Sequence, residues 1–121
     1  MKRNEVVIDG HLLKRGTLRH TPAGIPALNL VIGHKSIQIE AGGRREARCE
    51  VDAVVIGELA VRLSRQKLNQ PLQFSGFLTQ HSVKDRRLVL QVVNAELVNR
   101  AAGSGIEQNR TPGDQDGNGT Q

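Results

Sequence analysis

Apolar and polar positions alternate with period two along much of the first hundred residues, the spacing of strands that turn one face to a core. Residues 6–13 place Val6, Ile8 and Leu12 on one face, with Gly10 interrupting it and marking a bulge or bend. Over 27–35, Leu28, Leu30 and Ile32 alternate with Asn29, Val31 and Gly33, and the extended pattern continues through 36–40 to a turn at 41–44. Residues 45–56 predict a third strand, with Ala47, Cys49, Val51, Ala53 and Val55 on one face and Glu46, Arg48, Glu50 and Asp52 on the other. Two more strands follow Pro71. One has Leu72, Phe74 and Leu78 alternating with Gln73, Ser75 and Thr79; the other begins Leu88, Leu90, Val92 and runs to about residue 98.

One segment breaks the alternation. In 58–67, Leu59, Ala60 and Leu63 share a helical stripe, with Glu58 early and Arg65 and Lys67 late, charges that suit a helix dipole. The predicted order is three strands, a short helix and two strands, which is that of a five-stranded OB-fold, a Greek-key barrel whose binding face lies on its second and third strands. Two connections flank that face, 14–24 and 82–87, and both are basic. The first contains Arg19-His20-Thr21-Pro22-Ala23-Gly24-Ile25-Pro26, where Pro22 and Pro26 oppose helix at the preceding residues and Gly24 permits a bend, so it reads as a loop tip.

Composition divides the chain. From residue 101 onward Gly, Asn, Gln, Asp, Thr and Pro dominate, with Ile106 the only large apolar residue, so 101–121 reads as a disordered tail after a single domain at 1–100. The formal charge of +5 is the balance of a body at +7 and a tail at −2, which favours an anionic partner for the body. No apolar run approaches the roughly 20 residues of a membrane helix, and the N-terminus lacks a signal-peptide pattern. The single cysteine excludes an intramolecular disulfide and a Cys-based zinc site, and its alternating run predicts a buried, reduced thiol in a cytoplasmic protein.

Catalytic chemistry finds little support. His11, His20, His34 and His81 lack metal-ligand spacing and read as surface or loop residues, with His34 and His81 placed to touch phosphate. Gly33-His34-Lys35-Ser36 ends like a phosphate loop, but the two required glycines are replaced by Asn29 and His34. Glu46, Glu50 and Asp52 share a face with Arg48 and read as a solvated, charge-balanced surface. The candidate DNA-binding set is Lys14, Arg15, Arg19, Lys35, Arg44, Arg45, Arg48, Lys84, Arg86 and Arg87, all mapping to loops or exposed strand positions of the presumed binding side. Phe74 reads as core; Phe77, on the opposite strand face, reads as a packing contact or a stacking residue.

The 19–26 segment, followed by Leu28-Asn29-Leu30-Val31-Ile32 and His34-Lys35-Ser36, resembles the primosomal replication protein N family, as do Glu40-Ala41-Gly42, Ala47-Arg48-Cys49, Gly57 and Gly76-Phe77. The resemblance spans about 4–98, and its looser core is shared with bacterial single-stranded DNA-binding protein. It implies a cytoplasmic OB-fold homodimer without enzymatic activity or cofactor that binds single-stranded DNA and assists the primosomal helicase, with other primosome proteins as further partners. The basic positions it carries over are Arg19, Lys35, Lys84 and, across a short deletion, Arg87.

Two departures matter: Arg48 and Gly43 stand where the family's best-known members carry aromatics, and Ser82 stands where a basic residue is frequent. A stacked base is worth about 1–3 kcal/mol, so the departures imply weaker and more salt-sensitive binding. Two alternatives accompany this reading. One is an ordinary single-stranded DNA-binding protein, although 117–121 lack that family's acidic, phenylalanine-ended tip. The other is a protein–protein adaptor with weak DNA binding.

Overall fold

The computed structural model describes residues 1–98. The expectation of a disordered 101–121, and with it the domain boundary at 100, lies outside the described residues. Six strands and one helix follow in the order β1 (Val6–Arg15), β2 (Arg19–His20), β3 (Pro26–Glu40), β4 (Gly43–Ile56), α1 (Glu58–Ser64), β5 (Pro71–Gln80) and β6 (Leu88–Leu97).

The five long strands close on themselves. β1 pairs antiparallel with both β3 and β5, β3 with β4, and β5 with β6, while β4 and β6 run parallel. Helix α1 falls between the third and fourth long strands, so this is the OB-fold barrel that the period-two runs predict. The core is built from the inward positions of each strand: Leu12 of β1, Leu28, Leu30 and Ile32 of β3, Ala53 and Val55 of β4, Leu72 and Phe74 of β5, and Leu90, Val92 and Ala95 of β6. Ala60 and Leu63 of α1 join it, and Val6 and Ile8 pack against it.

Helix α1 starts without a side-chain cap. Gly57 stands at its N-terminus with φ 81°, a left-handed conformation that costs glycine little, and its N–H donates to Pro26 O at 2.9 Å. The helix stops at Ser64, short of the predicted 67. The Arg65 and Gln66 amides turn to the carbonyls of Arg62 and Leu63, three residues back, which tightens the last turn. Arg62 reaches from the helix to Ala95 O of β6, anchoring α1 across the barrel end.

Several expectations are corrected. The bulge in β1 lies at Leu13, between Leu12 and Lys14, rather than at Gly10. Gly10 is where β1 passes close to β3: a Cβ there would stand 2.4 Å from Gly33 O. Leu78 is exposed although it continues the inward row of Leu72 and Phe74 and pairs with the buried Leu90: it lies near the end of β5. The register shift beside Ser75 and Gly76 is an extra residue, Val93, in β6 that leaves the alternation of β5 intact. Leu88 is exposed because it begins β6 at the end of the barrel, paired only with Gln80, the last residue of β5, ahead of the β4–β6 ladder that starts at Leu90.

Cys49 is also exposed, against the expectation of a buried thiol. Its face assignment holds: Val55 and Ala53 on that face are buried. The β3–β4 ladder, however, extends from Ala27↔Ile56 to Glu40↔Gly43, far beyond the barrel. Cys49 pairs with His34 in the part of the hairpin that no other strand covers. The turn at its tip is the two-residue Ala41–Gly42, both with positive φ (52° and 81°), as a hairpin of this hand requires.

His34 stands where the hairpin leaves the barrel. Pairing between β1 and β3 ends at His11↔Gly33, and the next residue replaces the ladder with its side chain. Its Nδ1 lies 2.6 Å from Asp9 O, and its Nε2 lies 2.7 Å from Ser36 Oγ. A carbonyl only accepts, so Nδ1 carries the proton and Nε2 accepts from the Ser36 hydroxyl, which in turn accepts from Gln38 Nε2 at 2.8 Å. His34 is therefore a half-buried structural bridge rather than a surface residue. Burial holds its imidazole below the ordinary 6.5, so near that value the unfolded chain binds more protons than the folded one. Stability from this bridge is complete above pH 6.5 and falls as pH drops through the lower folded value. In urea melts from pH 7.5 downward, the parent protein loses stability on acidification and His34→Gln shows a shallower dependence; equal slopes would refute the assignment.

Candidate nucleic-acid interface

Directly opposed residues of an antiparallel pair share a face, so the β3–β4 register sorts the side chains. Leu28, Leu30 and Ile32 point into the core with Val55, Ala53 and Val51 opposite. The outer face therefore carries Asn29, Val31, Gly33, Lys35, Ile37 and Ile39 of β3, opposed by Val54, Asp52, Glu50, Arg48, Glu46 and Arg44 of β4. β1 extends this surface, since Lys14 pairs with Val31. His11 pairs with Gly33, and its ring occupies the space that a Cβ at Gly33 would take, with Nε2 2.7 Å from that position.

The structure brings much of the predicted basic set to this face and its flanks. Lys14, Lys35, Arg44 and Arg48 lie along the outer strands. Arg19 begins a short hairpin, where β2 pairs with the start of β3, so the expected loop tip holds a two-residue strand. Thr21 closes this segment by accepting from Gly24 N through its carbonyl and from Ile25 N through its hydroxyl. Lys84, Arg86 and Arg87 follow from the β5–β6 connection, which Ser82 folds into a tight turn by accepting from Asp85 N at 2.9 Å.

Two members point elsewhere. Arg45 pairs with Gln38 and so lies on the reverse face, where it binds Glu40 at 2.6 Å. Arg15 follows Lys14 and turns to the end of α1, donating to Leu63 O at 3.1 Å and also to Gln66 O. Both acceptors are at or just beyond the helix C-terminus, so a guanidinium there satisfies orphan carbonyls and meets the negative end of the helix. A charged hydrogen bond is worth about 1.5–3 kcal/mol, so Arg15→Ala is expected to lower stability by about that amount in urea unfolding. An unchanged midpoint with weakened DNA binding would instead place Arg15 on the nucleic acid.

The remaining cations differ in what holds them. Lys14, Arg44, Lys84 and Arg86 make no ion pair among the described residues. Arg48 lies 2.8 Å from Glu46, and Lys35 lies 4.0 Å from the same carboxylate. Arg87 stands between Asp52 at 3.6 Å and Asp85 at 3.4 Å, with His81 3.3 Å from Asp85 on its other side. Exposed pairs of this kind are worth roughly 0–1 kcal/mol, so an arriving polyanion displaces them at small cost.

Sequence reasoning put Asp52 on a charge-balanced face but did not gather it with Asn29 and the valines around one cavity. A cavity of about 160 Å³ opens between β1, β3, β4 and the β5–β6 connection, with Val31, Val54 and Val89 as apolar lining and Lys14, Asn29, Asp52 and Arg87 as polar lining. Asn29 is fixed by Arg19, whose Nη2 donates to its Oδ1 at 3.0 Å. Only the register reveals this grouping; its one sequence signal is Asn29 interrupting an apolar strand. Phe77 is 40% exposed and pairs with Gln91, whose amide reaches Val54 O at 3.4 Å, so the one exposed aromatic lies on a strand row that leads to the cavity.

With the geometry in place, comparisons with known proteins give a consistent result. A model described as "another single-strand binding protein family" matches residues 4–94. Replication restart protein PriB of Bordetella pertussis is 40% identical over 75 residues, covering 62% of this chain and 70% of that one. The PriB of Serratia proteamaculans is 30% identical over 101 residues, covering 81% and 96%. Among solved structures, PriB of Ralstonia solanacearum superposes with a TM-score of 0.73 at 26% identity, covering 81% of this chain and all of that one. The single-stranded DNA binding protein of Thermus aquaticus, in a deletion mutant, shares the fold with a TM-score of 0.65 at 20% identity over 80% of this chain and 51% of that one.

Proposed function

The chain belongs to the replication restart protein PriB family, one of the single-strand binding protein families, and from that membership we propose that it binds single-stranded DNA during replication restart, without catalysing a reaction. The observation that carries this reading is the outer face of β3 and β4. It is a strip on which Lys35, Arg44 and Arg48 alternate with Glu46, Glu50 and Asp52 among isolated apolar side chains, and it lies between two loops that tip the balance to positive by adding Arg19, Lys84, Arg86 and Arg87. Binding is electrostatic: Lys and Arg replace counterions along the DNA backbone, and Ile37, Ile39, His11 and Phe77 offer bases modest contact in place of the aromatics absent at Gly43 and Arg48. Partners are the primosomal helicase and a second copy of the chain, and the site of action is the cytoplasm, where the chromosome is replicated. No helix of the described residues is long and apolar enough to cross a membrane.

A second reading has its own support. Lys35, Arg48 and Arg87 are already engaged by carboxylates, which lowers the positive potential available to DNA and favours a helicase adaptor with weak DNA affinity. Anisotropy of a labelled oligothymidine over a series of salt concentrations, with and without the helicase, separates the two. A linear fall of log affinity with log salt supports the DNA-first reading. Helicase stimulation with no binding at the lowest salt overturns it in favour of the adaptor.

A further inference from the structure

The cavity on the outer face has a donor and acceptor pattern that a non-specific backbone grip does not need. We infer that it receives one unstacked nucleobase of the bound strand and that it selects guanine, with Asp52 as the residue that reads it. This rests on the outer face being the single-stranded DNA site. At about 160 Å³ the cavity is well below the roughly 300–1,000 Å³ of pockets for drug-sized ligands, which suits a base entering alone with its sugar and phosphate outside.

The pattern of groups sets the choice of base. Asn29 has its carbonyl oxygen occupied by Arg19, so what it offers is its N–H₂. Lys14 is also a donor, and so is Arg87. Among the side chains lining the cavity, Asp52 is the carboxylate, an acceptor with two oxygens. The complement is a base with two adjacent donors to span one carboxylate and acceptors beside them for the cations. Guanine offers N1–H and N2–H₂ side by side, then O6 and N7. Adenine and cytosine each present one exocyclic amine, and thymine presents a single N3–H between two carbonyls. Valines at 31, 54 and 89 supply apolar surface for the ring.

Asp52 is not locked away from a base. Arg87 stands 3.6 Å from Asp52 and 3.4 Å from Asp85, a shared arrangement in which it keeps Asp85 when the Asp52 carboxylate turns to guanine. The surrender is cheap because both groups are about half exposed.

The test uses the full chain and a labelled, roughly 15-nucleotide oligothymidine, within the span of single OB-fold sites, whose central position is thymine, guanine, inosine, adenine or cytosine. At one low salt concentration the guanine strand binds roughly 5- to 20-fold more tightly than the all-thymine strand, the effect of one good bidentate base contact. Inosine, which lacks only the 2-amino group, loses most of that gain. D52N removes a like charge, so it binds the all-thymine strand more tightly yet no longer distinguishes guanine. Equal affinities across the five strands, preference for another base, or a guanine preference that survives both inosine and D52N overturns the inference while leaving the DNA-binding reading intact. Failure of every strand to bind at low salt overturns both.

Discussion

Replacing Lys14, Arg44, Lys84 and Arg86 together by alanine is expected to lower affinity for oligothymidine by roughly several hundred-fold at about 0.1 M salt. The log–log slope against salt should become shallower by about 3. The size follows from counterion release. Each phosphate contact on a single strand contributes about 0.7 to the slope, which makes it worth roughly fivefold at about 0.1 M relative to 1 M. These four cations make no ion pair among the described residues, so no bound carboxylate has to be displaced before they meet DNA. Arg45→Ala is the contrasting variant: it lies on the reverse face beside Glu40, and its slope should equal that of the parent. Anisotropy titrations at four or more salt concentrations give both numbers. A quadruple variant with an unchanged slope would remove this face from DNA binding.

The second large effect concerns stability. Phe74→Ala is expected to cost about 3–5 kcal/mol, shifting the urea midpoint by roughly 2 M. Phe74 is fully buried, and its side chain is the largest in a core otherwise made of Leu, Ile, Val and Ala. With no other aromatic in the core to close in, the cavity left behind persists. Phe77→Ala serves as its counterpart. At 40% exposure on the outer strand face it should cost well under half as much stability, and its main consequence should be weaker binding of DNA. Equal losses of stability from the two variants would contradict the assignment of one to the core and the other to the surface.

The two phenylalanines show how far the linear pattern reaches. Their opposite faces follow from strand periodicity alone, and the barrel bears that out. The same periodicity misplaces the environment of Leu78: the residue is on the inward row, opposite the buried Leu90, yet near the end of β5 it is exposed. It also misplaces the environment of Cys49. The face is right, but whether a face is covered depends on how far neighbouring strands extend, and that is a property of other segments.

The basic site divides in the same manner. A count of Lys and Arg along the chain locates the loops and strands that carry charge, yet it cannot distinguish Lys14, which faces outward, from Arg15, which ties down the end of α1. Nor can it anticipate that Glu46 engages Arg48 and Lys35, or that Asp52 and Asp85 share Arg87. Those partners lie up to 35 residues apart and meet only through strand register and loop closure.

By itself, then, the sequence determined the order of the five long strands and the helix, the inward face of each of those strands and the sign of the surface, since these depend on local periodicity, turn chemistry and composition. Tertiary structure alone decided which cations are free, where the β3–β4 hairpin leaves the barrel at His34, and that Asn29, Asp52 and Arg87 surround one cavity. The physical reason is that closing a barrel sets register between strands distant in the chain, and register decides which side chains become neighbours.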